Sequence, residues 1–448
     1  MMKDNLFYKY DVPVPRYTSY PTVPYWSDSP STEEWLISLN KAYATRPSWS
    51  LYVHIPYCET LCTFCGCNTS ITKNHRREEP YMELLFQELD SYLEKVPDLK
   101  NSPLKQFHFG GGTPTFLSPK NLQSLAQGIM QKLNMSDDFH GSIEVDPRRT
   151  QVEHLQRLRD IGFSRLSLGV QDFDPEVQRL VHRVQPYEMT AQMTEDARRL
   201  GYESINFDLI YGLPKQTEKS VLDMMQKTWQ LRPDRIALYS LAIVPWIKPA
   251  QRLFKDEDLP QGQEKRRLCE ISRKFLLEKG YLEIGMDHFA LPTDSLAISH
   301  AQGQLHRNFM GYVEDRTQAL LGLGVSSISE TPDCFHQNEK ALPVYERRIQ
   351  QNEIATLRGH KLSGEDQERR EQILQFMTQG QVNFVSSEQQ KSVRAFLDEM
   401  IQDGLVEVTD SFLQLTEKGK PFLRNACLAL DERLLRKQPD SLLFSKSM

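Results

Sequence analysis

The chain has 448 residues, 39% hydrophobic and 25% charged, with a formal net charge of −6. That composition belongs to an ordinary folded protein and excludes disordered or fibrous classes, while the acidic balance is a poor basis for neutralising nucleic-acid phosphates. The longest apolar run, IALYSLAIVPWI at 236–247, is shorter than a membrane span, and MMKDNLFYKYDVPVPRYTSY holds no signal-peptide run, so a cytoplasmic protein is expected.

In chain order, the opening residues are rich in Pro and Tyr (VPVPRYTSYPTVPYW) and too irregular for a regular element. Residues 1–50 are expected to lie over the active site as an ordered extension. Six strand-like runs follow: LYVHIP (51–56), KQFHFG (105–110), GSIEV (141–145), RLSLGV (165–170), SINFDLI (204–210) and RIALYSL (235–241). Helical patterns alternate with them, among them YMELLFQELDSYLEKV, SPKNLQSLAQGIMQKLN and TEKSVLDMMQKTWQL, several opening on a Ser or Thr cap and closing near Gly. This alternation predicts an α/β fold, a partial (β/α)6 TIM-like barrel over 51–330 with its helices outside. A doubly wound open sheet is the alternative, but no GxGxxG follows the first strand.

Residues 331–448 form a connecting segment and, after about 365, a mainly helical, winged-helix-like unit. DQERREQILQFM and SSEQQKSVRAFLDEMIQDG read as helices, LVEVTDSFLQLTEKG as a hairpin, and KPFLRNACLALDERLL as a closing helix. Acids and bases are interspersed there without a basic stripe, which predicts a packing lid and no nucleic-acid partner.

Cysteines are concentrated just after the first strand. Of seven in the chain, Cys58, Cys62, Cys65 and Cys67 fall in YCETLCTFCGCN, giving C-x3-C-x2-C-x-C. In a reducing compartment this argues for a metal or redox site rather than a disulfide framework. Structural zinc usually takes two separated ligand pairs, and the second pair is missing, since Cys269, Cys334 and Cys427 are isolated. Three thiolates can hold three irons of a [4Fe-4S] cluster and leave the fourth open. S-Adenosylmethionine can chelate that iron, and one electron then releases a 5′-deoxyadenosyl radical. Zinc and a plain electron-transfer cluster remain the competing readings.

C-x3-C-x2-C is the signature of the radical S-adenosylmethionine enzymes, which this segment resembles. FGGGTPT (109–115) ends the second strand, and its glycines let main chain approach a ligand closely. The later strand ends carry Glu144, Gln171, Asp208 and Ala242, on the rim where barrels of this type bind ligands. Each acid singly reads equally well as a partner for an Arg.

The resemblance then becomes specific. PRYTSYPT (15–22), LYVHIPYCETLCTFCGCN (51–68), FGGGTPTFL (109–117), IEVDPR (143–148), RLSLGVQDFDPEVQRLVHR (165–183), NFDLIYGLPKQT (206–217), GMDHFA (285–290), HRNF (306–309) and LLGLGVSSIS (320–329) follow one another in order. Together they resemble the oxygen-independent coproporphyrinogen III dehydrogenase family, from about residue 10 to the closing FSKS. The resemblance implies a radical oxidoreductase of haem biosynthesis that converts two propionates of coproporphyrinogen III to vinyls, giving protoporphyrinogen IX and carbon dioxide. A 5′-deoxyadenosyl radical would take a β-hydrogen from each propionate.

Carried over position by position, the resemblance implies that Cys58, Cys62 and Cys65 hold the cluster. Cys67 matches a cysteine beside the cofactors that is not a ligand. Two S-adenosylmethionine molecules are implied. The first would meet Tyr52, Gly111 and Glu144. The second would meet Phe64, Gly112, Thr113 and Gln171 on one side and Arg183, Asp208, Ala242 and Ile328 on the other. Tyr52, Glu144, Arg307 and Phe309 carry the catalytic assignment, and Arg16 and Arg307 are candidates to face substrate carboxylates. Arg183 with Asp208 also reads as a buried ion pair. Further implications are an electron donor such as flavodoxin or ferredoxin, and a monomer.

Two positions depart from the family pattern. Met310 stands where Gln usually follows HRNF, and Ala242-Ile243-Val244-Pro245 where Ala-His often precedes the turn. Apolar side chains there are expected to weaken substrate orientation or to mark a tetrapyrrole-modifying radical paralogue. A haem-binding chaperone of the same superfamily is the other alternative, but such chaperones generally lack the RYTSYPT-type extension and the Gly-Cys-Asn after the third cysteine. This chain has both.

Overall fold

The structure, a computed structural model, describes residues 5–436 and Phe444. The rest of the FSKS match lies outside the described residues. All six expected strands are present: β1 (Trp49–Ile55), β2 (Pro103–Gly111), β3 (Asn134–Val145), β4 (Phe163–Gln171), β5 (Ser204–Tyr211) and β6 (Arg235–Ser240). They lie side by side in that order and run parallel.

Six more strands widen the sheet. They are β7 (Leu282–Gly285), β8 (His288–Ala290), β9 (Ala319–Leu323), β10 (Ile328–Glu330), β11 (Cys334–Asn338) and β12 (Thr356–Lys361). The sheet order is β12-β11-β10-β9-β1-β2-β3-β4-β5-β6-β8-β7. Strand β9 pairs parallel with β1, so the parallel run holds seven strands, and LLGLGV forms one of them. The outermost strands pair antiparallel and the ends do not meet, which leaves the barrel open. The sheet continues through 331–361, the stretch that the sequence suggests is a connection.

Strand alternation sorts the residues chemically. In SINFDLIY, Ile205, Phe207 and Leu209 are fully buried in the core beneath the helices, while Ser204, Asn206 and Asp208 line the hollow of the sheet. The same period of two sends Phe107, Ile143 and Leu168 outward and Gln106, Ser142 and Ser167 inward. A parallel sheet buried on both faces would read as continuous apolar runs. The polar inner face therefore points to an occupied hollow rather than a filled barrel core.

The opening residues differ from the sequence expectation. Thr32–Tyr43 is a helix, started by a capping box in which Ser31 accepts from the Glu34 amide and Glu34 from the Ser31 amide. Trp35, Leu39 and Tyr43 on its inner face are fully buried. The Pro and Tyr content of residues 12–26 hid this helix because its own signal begins only at Ser31. The Pro-rich stretch is laced to the C-terminal unit: the Arg424 guanidinium donates to the carbonyls of Val14 and Pro15, and Asn425 Nδ2 to Tyr10 O at 2.8 Å. Tyr10, Tyr17 and Tyr20 share a core with Phe376, Val393 and Leu413. That core lies under the helix Gly364–Gln379 and a three-stranded sheet of Gln381–Asn383, Phe412–Leu415 and Val406–Val408.

Candidate active site

After β1 the chain forms a loop closed at its base, where Tyr57–Cys58 pairs with Ser70–Ile71. The loop carries all four clustered cysteines. The Cys65 amide donates to Cys62 O at 3.1 Å, folding the middle of the loop into a turn. Cys58 Sγ lies 3.3 Å from Thr113 Oγ1, and the Arg148 and Arg183 guanidiniums reach Cys62 Sγ at 3.5 and 3.6 Å. Burial pushes the Cys58 thiol up to about 11. The Cys67 thiol and amide, bonded to Cys65, draw the Cys65 thiol below its ordinary range.

All four thiols are free. Among the described residues no three His, Cys, Asp or Glu side chains converge on a point that one ion would occupy. Single zinc needs such convergence, whereas a cubane takes each thiolate on a different iron, so three thiols spread around one loop fit the cluster.

The Gly turn sits directly against this loop. A Cβ on Gly112 would stand 2.6 Å from Pro56 O and 3.0 Å from Cys58 Sγ, so only glycine lets β2 end there. Gly111, at φ +117°, donates its amide to Glu144 Oε2 at 3.3 Å. His108 Nε2 approaches Glu144 Oε1 at 3.5 Å, and His108 stacks on Tyr52 with centroids 5.8 Å apart. Tyr52 also meets Phe309 edge-on at 4.9 Å and shares a 3.0 Å hydrogen bond with His54 Nδ1. Contacts thus link Gly111, Glu144, His108, Tyr52 and Phe309 in one chain.

Arg183 lies at the opposite side. It is buried, pairs with Asp146 at 3.3 Å and donates to Gly169 O at 2.6 Å. The ion pair expected with Asp208 is therefore replaced by one with Asp146, because Asp146, two residues past Glu144, comes between Arg148 and Arg183. Burial raises Asp146, but Arg183 and Arg148 outweigh it and hold the carboxyl low. Gln171 ends β4 at φ +68°, a left-handed conformation unusual for its residue type.

Asp208 accepts from Ser167 Oγ at 2.9 Å and Asn206 Nδ2 at 3.0 Å instead. Burial, with the Glu144 charge adding, raises its carboxyl to about 6. A carboxyl raised in the folded state binds its proton more tightly folded than unfolded. Its ionisation therefore weakens the fold as pH climbs from about 4 to above 6. Asp208→Asn is expected to gain about 1–2 kcal/mol at pH ~8 and nothing near pH ~4. Denaturant unfolding at both pH values checks this, and an equal gain at both would refute it.

Most of these groups face a cavity of about 480 Å³, within the range of small-molecule sites, whereas Tyr52 and Phe309 are outside its lining. Its walls include Cys58, Cys62, Cys65, Cys67, Phe64, Gly111, Gly112, Thr113, Glu144, Gln171, Arg183 and Asp208. Its floor is a charge network. Arg165 donates to Glu314 Oε2 at 2.7 Å, Arg235 to Glu314 and, at 2.7 Å, to Asp294 Oδ1.

The remaining candidates lie around it. Ala242 is on the exposed rim, tied to Phe64 through Gln251 Nε2, which donates to Ala242 O at 2.9 Å and Phe64 O at 3.5 Å. Ile328 is outside the lining, on β10, packed with Val23, Trp26 and Phe335. Arg307, 8% exposed, lies 4.5 Å over the Tyr312 ring, and its Nε and Nη1 have no partner among the described residues. Arg16 lies 5.7 Å over Tyr239 but is ion-paired to Asp287. Met310 lines the cavity, whereas Ile243 is an exposed residue outside the lining. Of the two departures, only Met310 faces the cavity.

Sequence reasoning missed Arg148, Asp146, His108, Gln251 and the Arg165–Glu314–Arg235 floor. DPR directly after SIEV carried the only local signal, two polar charges just beyond a strand end.

Residues 52–228 match the family model of the Radical SAM superfamily. The oxygen-independent coproporphyrinogen III oxidase of Escherichia coli (strain K12) is 40% identical over 441 residues, covering 96% of this chain and 95% of that protein. The Pseudomonas aeruginosa protein of the same name is 37% identical at the same coverage. Among solved structures, the coproporphyrinogen III oxidase of Escherichia coli, described as a radical SAM enzyme, superposes with a TM-score of 0.89 at 38% identity, over 94% of this chain and 98% of that one. With four free thiols on one loop, a glycine turn against them and a polar hollow beneath, the chain belongs to the oxygen-independent coproporphyrinogen III oxidase family, within the radical SAM superfamily.

Proposed function

We propose that this chain oxidises coproporphyrinogen III without oxygen, converting two propionates to the vinyls of protoporphyrinogen IX in haem biosynthesis. Each propionate loses one hydrogen atom, one carbon dioxide and one further electron, so the reaction needs both a radical source and an electron acceptor. When bound, the [4Fe-4S] cluster and S-adenosylmethionine supply the carbon radical that removes the hydrogen atom. The observation that carries the reading is the placement of Cys58 against the Gly111–Thr113 turn at the mouth of a polar cavity, in a chain similar to named oxidases over nearly its whole length.

In this reading Cys58, Cys62 and Cys65 hold the cluster. Gly111, Glu144 and Tyr52 receive the S-adenosylmethionine on it, with the glycine leaving room for the ligand and the carboxylate accepting from its ammonium group. A second molecule would be held by Phe64, Cys67, Gly112 and Thr113 with Gln171, Arg183 and Asp208, and by Ala242 at the rim, whereas Ile328 packs away from the cavity. Arg307 holds a substrate carboxylate: it is buried, two of its nitrogens lack partners among the described residues, and a guanidinium binds carboxylate strongly. Phe309 fixes the Tyr52 ring from its edge. Arg16 is a weaker candidate because Asp287 already neutralises it. A flavodoxin- or ferredoxin-type donor, a monomer and a cytoplasmic location complete the reading.

The test is an oxygen-free assay of reconstituted protein with dithionite or flavodoxin, read by mass spectrometry. Protoporphyrinogen IX formed with consumption of S-adenosylmethionine is the expected result. Tight haem binding without turnover would replace this reading by the chaperone.

A further inference from the structure

Around the cavity nearly every cation already faces a carboxylate. Arg165 and Arg235 face Glu314, Arg148 and Arg183 face Asp146, and Arg149 pairs with Glu59 at 3.0 Å. At the outer edge of the cluster loop three cations do not.

Lys248 Nζ donates to Cys67 O at 2.8 Å, and the next loop residue, Asn68, donates its Nδ2 to Lys340 O at 3.0 Å. Both lysines are thus anchored to adjacent residues of one loop. Arg358, on β12, faces Gln337 on β11 and donates to its Oε1 at 2.9 Å, and Gln337 in turn pairs with Ile328 on β10. Among the described residues none of the three cations is ion-paired. Glu339, the acid beside Lys340, has its Oε1 taken up by the amides of Lys340 and Ala341 at 2.8 and 3.2 Å. Burial, then Arg358 and Lys248, lower the Lys340 ammonium, as expected of neighbouring like charges. The chain as a whole carries a net charge of −6, so a local excess of positive charge at this edge is not a general property of its surface. None of the three lines the cavity itself. Lys248 and Lys340 border the exposed side of the loop and Arg358 lies near Lys340, where the part of a large ligand that does not react would lie.

We propose that Lys248, Lys340 and Arg358 form a carboxylate-binding rim that holds the two propionates of the tetrapyrrole which survive the reaction. The assignment rests on the proposed substrate. That substrate carries four carboxylates, and the reacting pair must enter the cavity beside Gly111 and Glu144, which leaves the other pair outside. Guanidinium and ammonium donors bind carboxylates through charge-assisted hydrogen bonds, and an edge open to solvent makes the interaction weaken with salt.

The test uses the anaerobically reconstituted holoenzyme titrated by fluorescence with coproporphyrin III and with protoporphyrin IX, macrocycles bearing four and two propionates. Wild type is expected to bind both. Lys248→Gln with Lys340→Gln and Arg358→Gln is expected to weaken both by a similar factor, roughly tenfold, because the shared pair is the one held. Lys340→Gln alone, whose ammonium makes no contact with the cysteine loop, should weaken both by a smaller factor with unchanged iron content. Unchanged coproporphyrin binding in the triple variant would overturn the proposal, including the case where only flavodoxin-supported turnover falls and the rim proves to be a donor dock. Weakening of coproporphyrin alone would overturn it too, since the rim would then hold the reacting pair. Failure of wild type to bind either macrocycle would remove the proposed substrate and this assignment together.

Discussion

Cys62→Ser, reconstituted with iron and sulfide under anaerobic conditions, is expected to lose cluster iron and all turnover, while Cys67→Ser keeps most of its iron. The two residues share a loop and differ in surroundings. Cys62 is buried, and two guanidiniums point N–H groups at its sulfur from 3.5 and 3.6 Å. A serine hydroxyl in that place is a far poorer ligand for iron, and the cluster would retain two thiolates. Cys67 is exposed, and its contact is with Cys65, not with the arginines. Iron and sulfide analysis of both variants decides the matter. Equal loss in the two would show that the ligand assignment is wrong.

Glu314→Ala is expected to cost about 3–5 kcal/mol of stability, because it leaves buried Arg165 without its counter-charge and Arg235 with Asp294 alone. Glu314 follows a short hairpin and sits 9% exposed under the cavity, accepting from Arg165, Arg235 and, at 3.0 Å, Ser295 Oγ. Burial opposes its ionisation, but Arg235 and Arg165 prevail and hold its carboxyl well below the ordinary range. A depressed carboxyl contributes stability that is present above its unfolded pKa, near 4.3, and fades only as pH falls through the lower folded value. The deficit of the variant should therefore be full at neutral pH and shrink in strong acid. Denaturant unfolding at neutral pH measures it, and a loss below about 1 kcal/mol would mean that water already screens this floor.

Much of the molecule was legible in the sequence for a local reason. The six parallel strands and the intervening helices follow from period-two and period-3.6 patterning, each confined to a short window. The cysteine loop was legible because its three thiols are supplied within eight residues, so no fold is needed to bring them together. The helix Thr32–Tyr43 was masked by the Pro-rich stretch before it, although Ser31 and Glu34 form its start signal. The strand Ala319–Leu323 was hidden too, because LLGLGV reads equally as a buried turn or a strand until β1 lies beside it.

Pairings between distant residues were not legible. The partner of Arg183 proved to be Asp146 rather than Asp208, and no pattern in the chain distinguishes two acids at neighbouring strand ends. Arg16 and Arg307 look alike as candidates, yet Asp287 neutralises Arg16, while Arg307 has no carboxylate partner among the described residues.

By itself, then, the sequence determined the sheet's parallel core, the family and the clustered cysteine loop, since all three are encoded in short stretches of chain. Tertiary structure alone decided which charges are cancelled and which stay available to a ligand. Electrostatic pairing depends on distance through space, and the residues that meet at this cavity, such as Arg165 and Glu314 or Arg235 and Glu314, lie far apart along the chain.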